Sequence, residues 1–347
     1  LFLLIAGAVL FLVVGLAFGW LLFGRGQDRP QVTKTTPAMA TVVSMVGLPT
    51  GQPFEAELAT APATNTEIPA PVTTASTATA APAASPGLFP PGFDTLQSRA
   101  LDLINQSRAA EGLSQVAWDD SAAQVAQAHA EDMLTAPFFS HWNRQGYGPD
   151  HRAALDAGMT DAVLENIHMA RRRTSNDQPA SIEDWPQRIL DAHLGLMDSP
   201  GHRRNIMDPA HTHVGIGIAY RPEIGEMRLV QEFVNRYVEL DPLPAELSVG
   251  AEVVISGRLI NGATDPLINL AYEPLPQPMS VEQLNETGNY QSAAQFFSAP
   301  RTTVEGDRFR TRAILDFDGQ PGLYHVWVFA TVLGERVKAA SPIIVVR

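Results

Sequence analysis

Eight of the nine histidines in this chain stand at positions 129, 141, 151, 168, 193, 202, 211 and 213. The same window holds the pair His141-Trp142 and the string Leu164-Glu165-Asn166-Ile167. It also holds Ser199-Pro200-Gly201-His202-Arg203-Arg204-Asn205-Ile206-Met207, followed by Thr212-His213-Val214-Gly215-Ile216-Gly217. Imidazoles with one carboxylate suit zinc or a similar divalent cation, and open coordination positions hold water. A carboxylate in such a set can equally stand behind a histidine and orient its ring. Plainer roles compete. His129 recurs with Ala122, Val125, Ala126 and Met133 at helical spacing, which predicts a hydrogen-bonded core histidine. His202 follows Pro200-Gly201 at a turn and helix start, where its ring can serve the fold alone. The Glu165 carboxylate can pair with backbone N–H groups, and Arg171-Arg172-Arg173 reads as a solvated loop.

Much other chemistry is absent. The chain has no cysteine, which removes disulfides, thiolate metal sites and cysteine nucleophiles. There is no His-Glu-x-x-His, no Gly-x-Ser-x-Gly and no phosphate-binding Gly-Lys-Ser/Thr loop. Gly215-Ile216-Gly217 lacks the third glycine and the preceding strand of a dinucleotide fingerprint. No serine is singled out as a nucleophile. A net charge of −13 argues against nucleic acid as a partner, because phosphate binding needs a clustered basic surface.

The elements that must position the histidines lie between about residues 92 and 240. Leu96, Ala100, Leu103 and Ile104 share one face of a helix that Asp94 or Thr95 can cap and Gly112 stops. Asp119-Asp120-Ser121 opens a second helix. A third is expected from Ser181 to Met197, with Pro186 in its first turns. Strand-like runs follow at 213–220 and 227–237. Helices flanking strands predict an α+β or layered α-β-α domain. Pro242 and Pro244 mark a boundary to residues 241–347, where strand signals recur at 252–260, 267–272, 309–317, 323–332 and 342–346. Turn-rich spacers between them predict a β-sandwich.

The N-terminal part has a different character. Residues 1–23 carry no charged side chain and would span about 34 Å as a helix, enough to cross a bilayer. A retained single-pass anchor is preferred to a cleaved signal peptide, whose apolar core is shorter and is closely followed by a cleavage site. Residues 24–91, rich in Ala, Thr and Pro from Thr35 onward, cannot bury a core and predict a disordered stalk.

The ordered set of motifs over about 145 residues resembles the CAP superfamily, the cysteine-rich secretory, antigen-5 and pathogenesis-related proteins, in a cysteine-free bacterial form. Leu103-Ile104-Asn105 with Arg108, then Leu113 and Trp118, is similar to its first helix and loop. Phe139-Ser140-His141 resembles the position of its first site histidine. Leu164 to Ile167 resembles its Gly-Glu-Asn motif, with Leu164 in place of Gly. Ser199 to Met207 is similar to the bacterial Ser-Pro-Gly-His-Arg-x-Asn-Ile-Leu segment. The resemblance implies an α-β-α sandwich whose cavity holds two histidines and two glutamates and can bind a divalent cation. His141 and Glu165 carry over. The second glutamate position falls at Ser199 and the second histidine position near Ala210 or His211, so His202 and His213 are the alternative imidazoles. His141, Glu165, His202 and His213 are thus the metal candidates, for zinc or another divalent ion. Asp318-Gly319-Gln320-Pro321-Gly322-Leu323-Tyr324 resembles the tyrosine corner of immunoglobulin-like domains.

The expectation is a membrane-anchored, extracytoplasmic protein: anchor 1–23, linker 24–91, CAP domain 92–240 and immunoglobulin-like domain 241–347. Its expected function is binding a lipid or cell-wall component, leaning away from enzymatic activity. A metal-dependent hydrolase or peptidase using His141, Glu165 and His202, and a purely adhesive surface protein, are the alternatives.

Overall fold

The stripe Leu96, Ala100, Leu103 and Ile104 is buried on helix α1, Phe93–Ala110. The helix starts two residues earlier than an Asp94 cap, and three earlier than a Thr95 cap, would place it. Gly92 is its N-cap, at φ 72°, a left-handed conformation that glycine adopts at little cost. Strand β1 is Ala117–Trp118, and helix α2, Asp120–Thr135, is capped by Asp119, which accepts from the Ala122 N–H at 2.7 Å. A long loop then leads to a single turn, α3, Pro149–His151, which runs on into a wider turn at Arg152–Asp156. Strand β2, Ala162–Arg171, follows, then α4, Trp185–Asp198, and α5, Pro200–Ile206. Helix α4 starts four residues after the expected Ser181. Asp184 caps it through the Gln187 N–H, and Pro186 fits only in a first turn. Strands β3, His213–Arg221, and β4, Glu226–Asn235, complete this region.

The structure, a computed structural model, describes residues 88–288 and 290–347. The expected anchor, and the expected stalk as far as residue 87, lie outside the described residues. Among the described residues no helix is long and apolar enough to cross a membrane.

The first sheet runs β1-β3-β4-β2, with β1 parallel to β3 and the other pairs antiparallel. Helices α1 and α4 pack on one face, against Val214, Ile216, Ile218, Leu229 and Phe233. Helix α2 packs on the other, where Ala126, Ala130 and Met133 meet Ala219 and Val230. Strand β4, between two neighbours and two helical layers, is buried at every position.

The C-terminal part is all strand apart from one short helix. It comprises β5, Val238–Leu240; β6, Glu246–Leu247; β7, Ala251–Leu259; and β8, Thr264–Glu273. Helix α6, Val281–Glu286, precedes β9, Gln295–Ser298; β10, Thr302–Glu305; and β11, Arg308–Leu315. Strands β12, Gly322–Val332, β13, Glu335–Ala340, and β14, Ile343–Val346, end the chain. One sheet is β10-β11-β7-β5; the other is β6-β14-β12-β8-β9, with β13 also paired to β12. Val253, Ile255, Phe309, Ala313 and Leu315 of the first share a core with Ile268, Leu270, Tyr324, Val326 and Val328 of the second. Within the expected strand 309–317 the faces alternate as far as residue 315: Phe309, Thr311, Ala313 and Leu315 are buried, while Ile314 is exposed. The mixed α+β class and the β-rich C-terminal part follow the sequence pattern.

The Tyr324 hydroxyl donates to the Gln320 carbonyl at 2.8 Å and accepts from the Phe317 N–H at 2.9 Å. Tyr324→Phe is expected to fold but to lose about 1–2 kcal/mol, because it strands both backbone groups. Urea denaturation of the full chain measures this; an unchanged midpoint would show that the corner contributes nothing.

The 274–294 connection crosses back over the first sheet's region. Leu284 of α6 packs with Phe138, Met133 and Leu134. Asn285 Oδ1 accepts from the Phe139 N–H at 3.0 Å, and Thr287 Oγ1 lies 2.6 Å from Ser140 Oγ. A Cβ on Gly148 would stand 2.2 Å from the Tyr290 ring, so the close approach requires glycine there. At the other end, the Ser341 N–H donates to the Thr160 carbonyl at 2.8 Å, and Asn235 Nδ2 donates to the Lys338 carbonyl at 3.1 Å.

Candidate functional site

Strand β2 is the edge of the first sheet, and its Glu165-Asn166 pair sends side chains to opposite faces. Glu165 turns toward α2. Its Oε1 accepts from His141 Nδ1 at 2.7 Å, and its Oε2 accepts from Arg152 Nη2 at 2.5 Å. Arg152 also donates through Nη1 to the carbonyls of His141 and Tyr147, at 2.8 and 3.1 Å. The guanidinium therefore ties the loop that carries His141 to the carboxylate that orients its ring. Glu165 is in register with Glu232 on β4, so two carboxyl groups face each other in the ladder. Arg152 Nη2 reaches Glu232 Oε1 at 3.6 Å.

These neighbours decide the protonation states. Burial pushes the Glu165 carboxyl up, but Arg152, His129 and His141 outweigh it and hold it well below the usual carboxylate range. Burial, then the nearby Glu165 charge, pushes the Glu232 carboxyl well above that range. His129 donates through Nε2 to the Ser140 carbonyl at 2.9 Å, the hydrogen-bonded core histidine expected from its stripe. Burial, then the Arg152 charge, pushes it down to about 3.

Asn166 turns to the other face and positions His202. Its Nδ2 donates to the His202 carbonyl and to Gln231 Oε1, both at 3.1 Å. Asn205 Nδ2 donates to Asn166 Oδ1 at 3.0 Å and to the Glu165 carbonyl at 3.1 Å. The two sequence motifs are thus cross-linked, and α5 is held against the β2 edge. His202 is half-buried; burial lowers its basicity, and so does the nearby His141. Its ring makes no hydrogen bond among the described residues.

The other two imidazoles lie apart. His213 bonds Thr212 Oγ1 at 2.9 Å, beside Arg236, which pairs with Asp119 and Asp161 at 2.6 and 2.9 Å. Burial, then that arginine, lowers His213. His211 is buried against Asn235 Oδ1 at 2.7 Å and stacks on Phe233.

A cation shared by His141, Glu165, His202 and His213 does not fit this arrangement. Both Glu165 oxygens are occupied, one by a guanidinium that would repel the ion, and His213 belongs to a separate ion-pair cluster. What remains is a glutamate-backed, largely buried imidazole, His141, whose Nε2 makes no hydrogen bond among the described residues, with His202 nearby. No serine or threonine hydroxyl bonds either ring among the described residues.

A cleft of about 710 Å³ lies beside this site. Val163 and Leu164 of β2, Met207 and Ala210 after α5, and Val332, Leu333 and Val337 of the β12–β13 hairpin supply its apolar wall, with Arg204 and Arg336 among its polar groups. Leu333 and Gly334 form the two-residue hairpin turn at φ 52° and 84°, and Leu333 is 79% exposed. Such turns favour Asn-Gly or Asp-Gly; a leucine held there pays backbone strain to present an apolar side chain to solvent.

Arg152, Glu232 and the cleft were not singled out in the sequence. Arg152 carries no local signal, and Glu232 reads as one position in an alternating strand.

The family model for the cysteine-rich secretory protein family, CAP, matches residues 101–233. That part of the chain is a CAP domain. Over 124 residues the chain is 32% identical to the uncharacterized membrane protein YlbC of Bacillus subtilis (strain 168), covering 36% of this chain and 32% of that protein. Over 128 residues it is 26% identical to the uncharacterized protein YkwD of the same organism, covering 37% of this chain and 44% of that protein. The chain therefore spans less than half the length of either relative. Among solved structures, an extracellular protein containing a SCP domain from Bacillus anthracis is 24% identical, with 41% of each chain covered and a TM-score of 0.32.

Proposed function

We propose that this chain is an extracytoplasmic binding protein. Residues 1–23 anchor it in a membrane, residues 24–91 form the stalk, and the CAP domain at 92–240 is an α-β-α sandwich beside an immunoglobulin-like domain at 241–347. Its ligand is an acidic amphiphile, a lipid or lipid-bearing cell-wall component. The observation that carries this is the cleft, with the exposed, strained Leu333 at its mouth. Apolar walls suit an acyl chain; Arg204 and Arg336, neither ion-paired among the described residues and set beside Asp208, Glu335 and Lys338 in the lining, suit an acidic head group. His141 and His202 contribute polar contacts at the neighbouring β2 edge. A hydrolase reading is weaker, because Glu165 is committed to Arg152 and His141.

The test titrates the full chain with a fluorescent long-chain fatty acid and with the matching long-chain alcohol. One saturable site is expected, preferring the acid. Arg204→Glu combined with Arg336→Glu is expected to weaken acid binding by at least about tenfold, since a charge-assisted contact contributes about 1.5–3 kcal/mol. Equal affinity for acid and alcohol, or binding indifferent to both substitutions, would sink the proposal.

A further inference from the structure

The outer face of the β8–β12 pair carries a second, unrelated histidine cluster. Tyr324, Val326 and Val328 point into the C-terminal core, so His325 and Trp327 on β12 point the other way. Glu273, at the end of β8, lies diagonally across from His325 on that same face, since His325 is in register with Ala271. His151 of α3 descends onto them from the CAP side. Ligand atoms of His151, Glu273 and His325 all lie within 4.8 Å of one another. Both histidines are fully buried, and Glu273 is 3% exposed. The His151 and His325 ring centroids are 5.6 Å apart, and Tyr147 stacks on His151.

The hydrogen bonds of this cluster do not close. His151 Nε2 donates to Glu273 Oε1, and its Nδ1 accepts from the Gly148 N–H at 3.0 Å. His325 has no such settlement. Its Nε2 stands 3.6 Å from Glu273 Oε2 and its Nδ1 4.0 Å from Asp150 Oδ2, both beyond hydrogen-bond reach. Both His325 nitrogens and Glu273 Oε2 are thus buried without a partner among the described residues. A buried imidazole and carboxylate oxygen left unmet are costly, and native proteins rarely leave them so.

We propose that His151, Glu273 and His325 form a divalent-cation site that fastens the 141–151 segment of the CAP domain to the C-terminal sheet. Two imidazoles and one carboxylate select zinc or an ion of like preference over calcium and magnesium, which demand oxygen-rich shells. Tetrahedral zinc places its ligand atoms about 3.3 Å apart, and the His325 Nε2 to Glu273 Oε2 separation of 3.6 Å already approaches that. With Nε2 on the ion, His325 Nδ1–H turns to Asp150 Oδ2. His151 ligates through Nε2 in its Nδ1–H tautomer, for which Asp150 Oδ1, at 3.4 Å, is the acceptor; the Gly148 N–H gives up its present partner. Asp150 is itself held by the Tyr290 hydroxyl. Sequence reading placed the cation elsewhere because Glu273 and His325 lie outside the CAP motifs and are far from His151 along the chain.

The experiment titrates the chelator-treated full chain with zinc chloride at neutral pH by calorimetry and records zinc-edge X-ray absorption of the loaded protein. One ion per chain is expected, with two imidazole ligands in the absorption spectrum. Glu273→Gln, which keeps the side-chain volume, and His325→Ala are each expected to weaken binding by at least about tenfold. A His141→Ala, His202→Ala double variant is expected to bind zinc as the unmodified chain does. Absence of zinc binding, or a single ion that the double variant loses, would overturn the proposal. That comparison decides even where His325→Ala fails to fold, and fatty-acid binding at the separate cleft is read independently.

Discussion

Arg152→Met is expected to destabilise the protein by about 3–5 kcal/mol at pH 7, the range for removing one partner of a buried ion pair. Arg152 is buried between Glu165 and Glu232, and methionine replaces its stem but not its charge. Glu165 would then be an ionised carboxylate with only His141 to answer it. The pH dependence identifies the mechanism. Glu165 has a depressed folded-state pKa, so its contribution is present above the unfolded carboxylate pKa and is lost as pH falls through the folded one. With the guanidinium gone, burial is free to raise the Glu165 carboxyl, so the folded variant takes up a proton at a higher pH than the parent does; the gap between the two proteins should be widest near neutrality and shrink toward pH 4. His129 adds a second signature. It is neutral in the fold down to about 3, whereas the unfolded state binds a proton below about 6.5. Between those values the unfolded state holds more protons, so stability falls as pH is lowered, by up to about 1.4 kcal/mol per unit. Removing the Arg152 charge lets His129 protonate more readily and flattens this slope. Urea denaturation of both proteins at pH 7, 5.5 and 4 measures it. A loss under about 1 kcal/mol at pH 7, or one independent of pH, would show that the guanidinium does not hold the site.

Gly217→Ala is the second large effect. A Cβ at Gly217 would lie 2.3 Å from the backbone of Ala126 and Gln127, and one at Gly215 would lie 2.0 Å from the Ala123 nitrogen. Helix α2 rests its backbone directly on β3 there, so no side chain can swing aside. Alanine in a strand would ordinarily gain about 0.5–1 kcal/mol over glycine. Here the overlap decides the sign, and a loss of at least about 3 kcal/mol is expected, the upper range for overpacking. Gly112→Ala, at φ 73° with open space around it, is expected to lose only about 1 kcal/mol. Similar losses for the two in thermal denaturation would contradict the packing account.

The contrast between these glycines shows what the sequence made legible. Apolar periodicity placed α1 and α2, and alternation placed β11, because burial on one face writes itself into local spacing. The motif order placed His141 and Glu165 in adjoining segments. Gly215 and Gly217 read only as an incomplete nucleotide fingerprint; that a helix presses on them is a tertiary fact. Strand β2 was visible as a motif but not as an edge strand, since Glu165 and Asn166 interrupt its apolar run at the centre and put a polar side chain on each face. Arg152 was silent because its partners come from β2, β4 and the preceding loop. His213, adjacent to a strong motif, was drawn toward the candidate site, but the Arg236 cluster holds it elsewhere.

The cleft has two owners: one wall comes from β2 and the end of α5, the other from the β12–β13 hairpin. On the proposed reading of the cleft as a ligand site, its selectivity is a property of the pairing and of neither half. Recombining this CAP domain with a different β module would preserve the Glu165–Arg152 assembly yet exchange the opposite wall, so new specificities could arise by shuffling without a single substitution among residues 101–233.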